Sequence, residues 1–184
     1  MAAPAADSHR RLLQREQLWH RARLSGVAPP LRQYLVARRQ DGPFTVGLDL
    51  IERQLSYALP DWIYGDRRFQ NCWEAAADVA AWTNDIISAE RELSHGDVVN
   101  LVAVLQAEGR TEPQAFDTAI EMLDRRIGHL RSHAAQLREQ RESDDQTVRW
   151  ADALLLTIRG LYDWSANTAR YSPWRASIGY PLRP

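Results

Sequence analysis

The chain of 184 residues and 21.1 kDa has single-domain length, with room for a sizeable core. Its 45% hydrophobic and 26% charged residues are ordinary globular proportions, and a net charge of −1 provides no global field to recruit nucleic acid or an acidic membrane surface. All 23 basic residues are Arg, and one cysteine, Cys72, excludes an internal disulfide framework and suits a reducing cytoplasm. Residues 1–8 are Ala/Pro-rich but lack the apolar stretch of a secretory signal, and no run approaches the roughly 18 apolar residues that a membrane span needs.

In chain order, residues 9–25 read as a helix that turns Leu12, Leu13, Leu18 and Trp19 toward a core. Gly26 and the Pro29-Pro30 pair break it. Residues 31–40 resume helical character, stop at Asp41-Gly42-Pro43, and a second piece runs over about 44–56. An interruption of this kind is a turn, or a place where freed carbonyls and amides face a ligand. Residues 59–65 read as a loop, and 67–93 as a long, mostly apolar helix ended by Gly96 and Asp97. A further element starts at Asn100 and runs to Gln106. Thr111-Glu112-Pro113-Gln114 is a helix start, with Thr as cap and Pro in the first turn, opening a helix over 114–141. A polar joint at 142–146 leads to a last helix over 147–169, and the Pro-bearing tail from Tyr171 onward reads as a loop. Residues 1–8 and 172–184 are expected to be flexible. No period-2 alternation and no internal repeat occurs, so the expected fold is all-α, six or so helices in a single domain over 1–184.

On the long helix, Asn84, Ser88 and Glu92 stand at i, i+4 and i+8, which stacks an amide, a hydroxyl and a carboxylate on one face about 6 Å apart per step. Such oxygens suit a hard cation such as Mg²⁺, with Arg91 supplying a fixed positive charge beside Glu92. A solvated polar stripe on a surface helix has the same spacing. Against the stripe, residues 75–82 are apolar enough to be buried, and polar groups on a buried helix need partners. Arg38 with Asp41-Gly42 at a helix end forms an anion fork or a basic surface turn. Arg170-Tyr171 closes the last helix, where an Arg also meets the negative helix end without any ligand. Asp144-Asp145 lies in a solvated joint. His129 and His133 share a charged face with no Glu beside them, so neither pair reads as a metal site.

Together these motifs resemble the C-terminal half of bacterial class I terpene synthases. Asn84-Asp85-x-x-Ser88-x-x-Arg91-Glu92 matches the second metal motif of that family. Arg38, 46 residues upstream of Asn84, falls where the family places its diphosphate-sensing Arg, and Asp41 and Gly42 fall at its linker and effector positions. Arg170-Tyr171 matches the Arg-Tyr pair near the C-terminus, and Trp164 the aromatic shortly before it. The resemblance covers about residues 18–171.

The resemblance implies an incomplete class I terpenoid synthase helical bundle and a Mg²⁺-dependent cyclisation of a linear isoprenyl diphosphate, with farnesyl diphosphate the expected substrate. It implies Asn84, Ser88 and Glu92 as metal ligands, with Asp85 structural. Arg38, Arg91, Arg170 and Tyr171 are implied as donors to the diphosphate. Asp41 is implied to tie Arg38 to the carbonyl of Gly42, and Trp164 and Phe44 to face carbocations. The family's Asp-rich first motif has no counterpart, because Asp7 and Glu16 are the only acids before Arg38. The expectation is therefore a fragment or split subunit, inactive alone, that takes a complementary N-terminal-half subunit or forms a homo-oligomer. A non-catalytic diphosphate-binding remnant and a helical interaction module are the alternatives.

Overall fold

The computed structural model describes residues 16–40, 47–139 and 145–174, and among them there is no strand. In chain order the helices are α1 (residues 16–25), α2 (Leu31–Arg39), α3 (Ile51–Leu55), a 3₁₀ turn (Asp61–Gly65), α4 (Arg67–Ser94), α5 (Leu101–Ala107), α6 (Glu112–Arg138), α7 (Asp145–Asn167) and a closing 3₁₀ turn (Ala169–Trp174). The all-α expectation holds.

The molecule is arranged around α4, against which α2, α5, α6, α7 and both 3₁₀ turns pack. Local sequence explains its limits. Asp66 caps its start by accepting the backbone N–H of Arg68 at 2.7 Å. At its end the N–H of Gly96 reaches the carbonyl of Leu93 and that of Asp97 the carbonyl of Glu92, with Gly96 at φ +74°, a left-handed position that glycine adopts without cost. Between these caps every residue from Ala75 to Thr83 is buried, a small-residue run that lets neighbouring helices approach closely. Ile86 and Ile87 extend the buried run toward the polar motif. Leu101 to Leu105 of α5 are all buried, α6 contributes Leu123, Leu130 and Leu137, and α7 adds Trp150 and Leu154, with the Trp150 and Phe69 ring centroids 4.5 Å apart and the rings tilted by 37°.

Several sequence-based boundaries shift. The expected loop over 59–65 contains the 3₁₀ turn, because Pro60 sets the backbone, Ile63 donates to its carbonyl at 3.0 Å and the Ile63 side chain is buried. α6 stops at Arg138 rather than 141, α7 stops at Asn167 rather than 169, and the backbone from Ala169 to Trp174 is a 3₁₀ turn where a helix end and then an open loop were expected. Burial of Tyr171 draws that segment inward. Residues 9–15, and the Asp41-Gly42-Pro43 interruption with Phe44, lie outside the described residues, as does Asp144.

No helix among the described residues is long and apolar enough to cross a membrane.

Candidate functional site

The motif face of α4 points inward. Ser88 is wholly buried, and Asn84 and Glu92, one turn before and after it, are partly buried, so the stripe is not a solvated one. α2 lies against this face and delivers Arg38. Its Nη2 donates to Asn84 Oδ1 at 3.1 Å, while Nε and Nη2 donate to Asp85 Oδ1 at 3.0 and 2.7 Å. The other Asp85 oxygen accepts the Tyr34 hydroxyl at 2.5 Å, one α2 turn from Arg38. Burial pushes the Tyr34 phenol well above its ordinary range, reinforced by the Asp85 charge, so the hydroxyl stays a donor. From the closing 3₁₀ turn the Tyr171 oxygen accepts Asn84 Nδ2 at 3.1 Å. Arg38, Asn84, Asp85, Tyr34 and Tyr171 therefore form one hydrogen-bonded cluster contributed by three separate elements.

A turn further on, Glu92 Oε2 accepts the side-chain amide of Asn100 at 3.0 Å. Burial raises the Glu92 carboxyl above the ordinary Glu range, and the nearby Asp85 adds to this, against the opposing pull of Asn100, Ser88 and Arg38. The Ser88 hydroxyl lies close enough to Glu92 to lower its carboxyl, although no well-formed hydrogen bond joins them. A fully buried hydroxyl with no well-formed hydrogen bond, between an amide and a carboxylate on one face, is a group that a bound cation would satisfy. Three hard oxygens of this kind fit Mg²⁺, which binds few protein ligands and keeps its remaining water. Among the described residues no group of three or more His, Cys, Asp or Glu side chains gathers.

Arg39, next to Arg38, points elsewhere. It donates to both oxygens of the buried Asp78, at 2.8 and 2.9 Å, and to Glu74, while Arg126 of α6 meets Asp78 at 2.7 Å. This ionic knot joins α2, α4 and α6 and fixes the end of α2 from which Arg38 reaches the site.

The remaining sequence candidates lie as follows. Arg91 is partly buried, and its carbonyl accepts from Ser94 Oγ at 2.7 Å. Arg170 is exposed, with its guanidinium 5.7 Å from the Tyr171 ring centroid. Trp164 on α7 is 55% exposed. Asp41 and Gly42 fall outside the described residues. A cavity of about 300 Å³ lies beside the N-terminal half of α4, lined by Tyr64, Phe69, Trp73 and Trp150 with Asp49, Glu52 and Glu74, and none of the described site candidates borders it. Sequence reasoning missed Tyr34, Asp78 and Asn100. Tyr34 stands one turn before Arg38, a spacing that puts both on one helix face and could have flagged it.

The all-α bundle thus sets a hydrogen-bonded Arg, Asn, Asp and Tyr cluster beside three oxygen-bearing side chains of one helix face. The comparisons sharpen this. Residues 6–128 match the family model described as terpene synthase family 2, C-terminal metal binding, and the chain belongs to that family. It is 33% identical over 171 residues to (-)-delta-cadinene synthase of Streptomyces clavuligerus, covering 88% of this chain and 52% of that protein. It is 31% identical over 145 residues to (+)-eremophilene synthase of Sorangium cellulosum, covering 78% and 44%. Its fold is that of 2-methylisoborneol synthase from Streptomyces coelicolor A3(2), solved in complex with Mg²⁺ and 2-fluoroneryl diphosphate, with a TM-score of 0.80 at 23% identity over 90% of this chain and 51% of that one. The chain spans about half the length of the relatives it matches.

Proposed function

We propose that this chain supplies the diphosphate-binding side of a class I terpene synthase, an enzyme that ionises and cyclises a linear isoprenyl diphosphate with loss of diphosphate. Farnesyl diphosphate is the proposed substrate. The observation that carries the reading is the buried Ser88 hydroxyl set between Asn84 and Glu92 on one face, with Arg38 hydrogen-bonded to the same Asn84. The family match and the named synthases among the relatives support it.

In this reading Asn84, Ser88 and Glu92 hold Mg²⁺, which when bound supplies Lewis-acid stabilisation of negative charge on the departing diphosphate. The chain's own groups do the rest. Arg38 is held by Asp85 and Asn84 so that its planar fork is oriented before any anion arrives, which spares the cost of ordering it later. Tyr171 accepts from Asn84 and so keeps its own O–H to donate to an anion. Arg91, next to Glu92, and Arg170, next to Tyr171, are the further cations assigned to the anion. Donors fixed in advance favour the leaving group as its charge grows, and so lower the barrier to ionisation. Asp41 and Gly42 belong to the proposed site by their place after Arg38, and Trp164 by its place before Arg170.

The 184 residues hold no Asp-rich cluster, since their only adjacent Asp pair is Asp144-Asp145. We place the second set of metal ligands on an Asp-rich segment outside these residues, on the same or a separate polypeptide. Incubation of the 184-residue chain with Mg²⁺ and farnesyl diphosphate is expected to give no terpene by gas chromatography, and addition of a matching Asp-rich half to restore product. Restored product lost again in Ser88→Ala and Arg38→Ala supports the reading. Efficient product formation by the chain alone contradicts the need for that second set of metal ligands, and retention of full activity in both variants contradicts the site. Diphosphate binding without product in every combination points instead to a non-catalytic binding protein.

A further inference from the structure

After α4 the chain reverses through Gly96, and the 95–100 segment brings Asn100 back against the helix it has just left. Asn100 is wholly buried. Its Oδ1 accepts the N–H of Val102 at 2.8 Å and caps α5. Its Nδ2 donates to the backbone carbonyl of Asp85 at 2.8 Å and to Glu92 Oε2 at 3.0 Å. One amide nitrogen carries two hydrogens, so both donations are satisfied at once. A helix cap needs only the oxygen, which Ser or Asp supplies as well. The NH₂ group, aimed at a carbonyl and a carboxylate in the same buried space, is the part that capping does not explain.

We propose that Asn100 is a positioning residue for the metal site, holding Oε2 of Glu92 so that the rest of the carboxylate faces Ser88 and Asn84. The inference rests on the reading of Glu92 as a metal ligand. A Glu side chain has three rotatable bonds, and a free one must be ordered when a cation binds. Here the order exists beforehand. The amide that imposes it is itself locked at both ends, to the backbone of α4 and to the first turn of α5. A partner of this kind behind a metal ligand is typically worth about 10- to 100-fold in metal affinity.

The test is Mn²⁺ titration of the full chain in the presence of inorganic diphosphate, followed by electron paramagnetic resonance, for the unaltered protein and for Asn100→Ser, Asn100→Asp and Glu92→Gln. Both Asn100 substitutions keep a capping oxygen and remove the Nδ2 amide that donates to Glu92. They are expected to weaken Mn²⁺ binding at least about tenfold, while hydrogen exchange shows the Val102 amide still protected. If Glu92→Gln binds Mn²⁺ like the unaltered chain, or the unaltered chain binds none, the metal reading fails and the role of Asn100 falls with it. If Glu92→Gln loses binding but both Asn100 variants keep it, only the positioning role is overturned. Loss of affinity accompanied by loss of Val102 protection in both variants overturns it in favour of a purely structural role.

Discussion

Asp85 carries two loads at once. It is 1% exposed, and its oxygens are divided between the Tyr34 hydroxyl and the Arg38 guanidinium. Deleting either partner leaves a buried carboxylate short of hydrogen bonds, but the two deletions differ in size. Tyr34→Phe removes a neutral donor and is expected to cost about 1–3 kcal/mol, read from urea unfolding. Arg38→Ala removes the cation from a nearly buried pair and is expected to cost about 3–5 kcal/mol. The double variant Arg38→Ala/Asp85→Asn should regain part of that loss, because the unpaired charge is gone. Additive losses in the double variant would show that the pair contributes nothing as a pair. Arg38→Ala should also weaken binding of inorganic diphosphate with Mg²⁺, whereas Tyr34→Phe should weaken it less, since it acts only through Asp85.

At the scale of the element, α4 owes its start and stop to single residues. Asp66 at its N-cap has its carboxyl held down to about 2, chiefly by hydrogen bonding to the Arg68 side chain, against some burial, with the Arg68 backbone N–H adding to the effect. A folded value below the unfolded value of roughly 3.9 means that ionised Asp66 stabilises the helix above that value, and that the contribution disappears as the pH falls toward 2. Asp66→Ala is expected to cost about 1 kcal/mol at neutral pH, and the gap between the two proteins should close on acidification through that window. A gap that stays constant with pH would remove Asp66 from the account. At the other end, a Cβ on Gly96 would touch nothing within 4 Å, yet φ is +74°. Gly96→Ala should therefore cost about 1–2 kcal/mol through the backbone alone. That change reaches further than its size, because the reversal at Gly96 also brings Asn100 onto Glu92.

For the molecule as a whole, the buried Asp78 ties three helices together through Arg39 and Arg126. Asp78→Ala takes this ion pair from Arg126 and leaves Arg39 only Glu74, and is expected to destabilise the chain by about 3–5 kcal/mol. A loss under about 1 kcal/mol in chemical denaturation would mean that both Arg side chains escape to water. Cys72, wholly buried in the same core, has its thiol pushed up to about 12 by burial. Its alkylation near pH 8 should then track global unfolding, and Asp78→Ala should speed it in step with the lost stability. Rapid labelling of the unaltered native chain would place Cys72 in a locally opening segment instead.

The helical period of apolar residues, the Gly and Pro breaks and the cap at Thr111 were sufficient for the all-α class and most helix positions, because those signals act within a few residues of chain. The order and spacing of Asn84, Ser88, Glu92, Arg38 and Arg170-Tyr171 were likewise legible, and they pointed to the family that the comparisons show. The direction of each side chain was not legible. Spacing left open whether the Asn84–Glu92 face met solvent or core, and only the packing of α2 onto α4 turned it inward. Neighbours far apart in sequence decided the rest: Tyr34 lies 51 residues from Asp85, Arg39 39 residues from Asp78, and Tyr171 87 residues from Asn84. A buried charge or amide is defined by the partner that satisfies it, and that partner is chosen by tertiary packing, whereas a helix is specified largely by residues within a turn or two of one another.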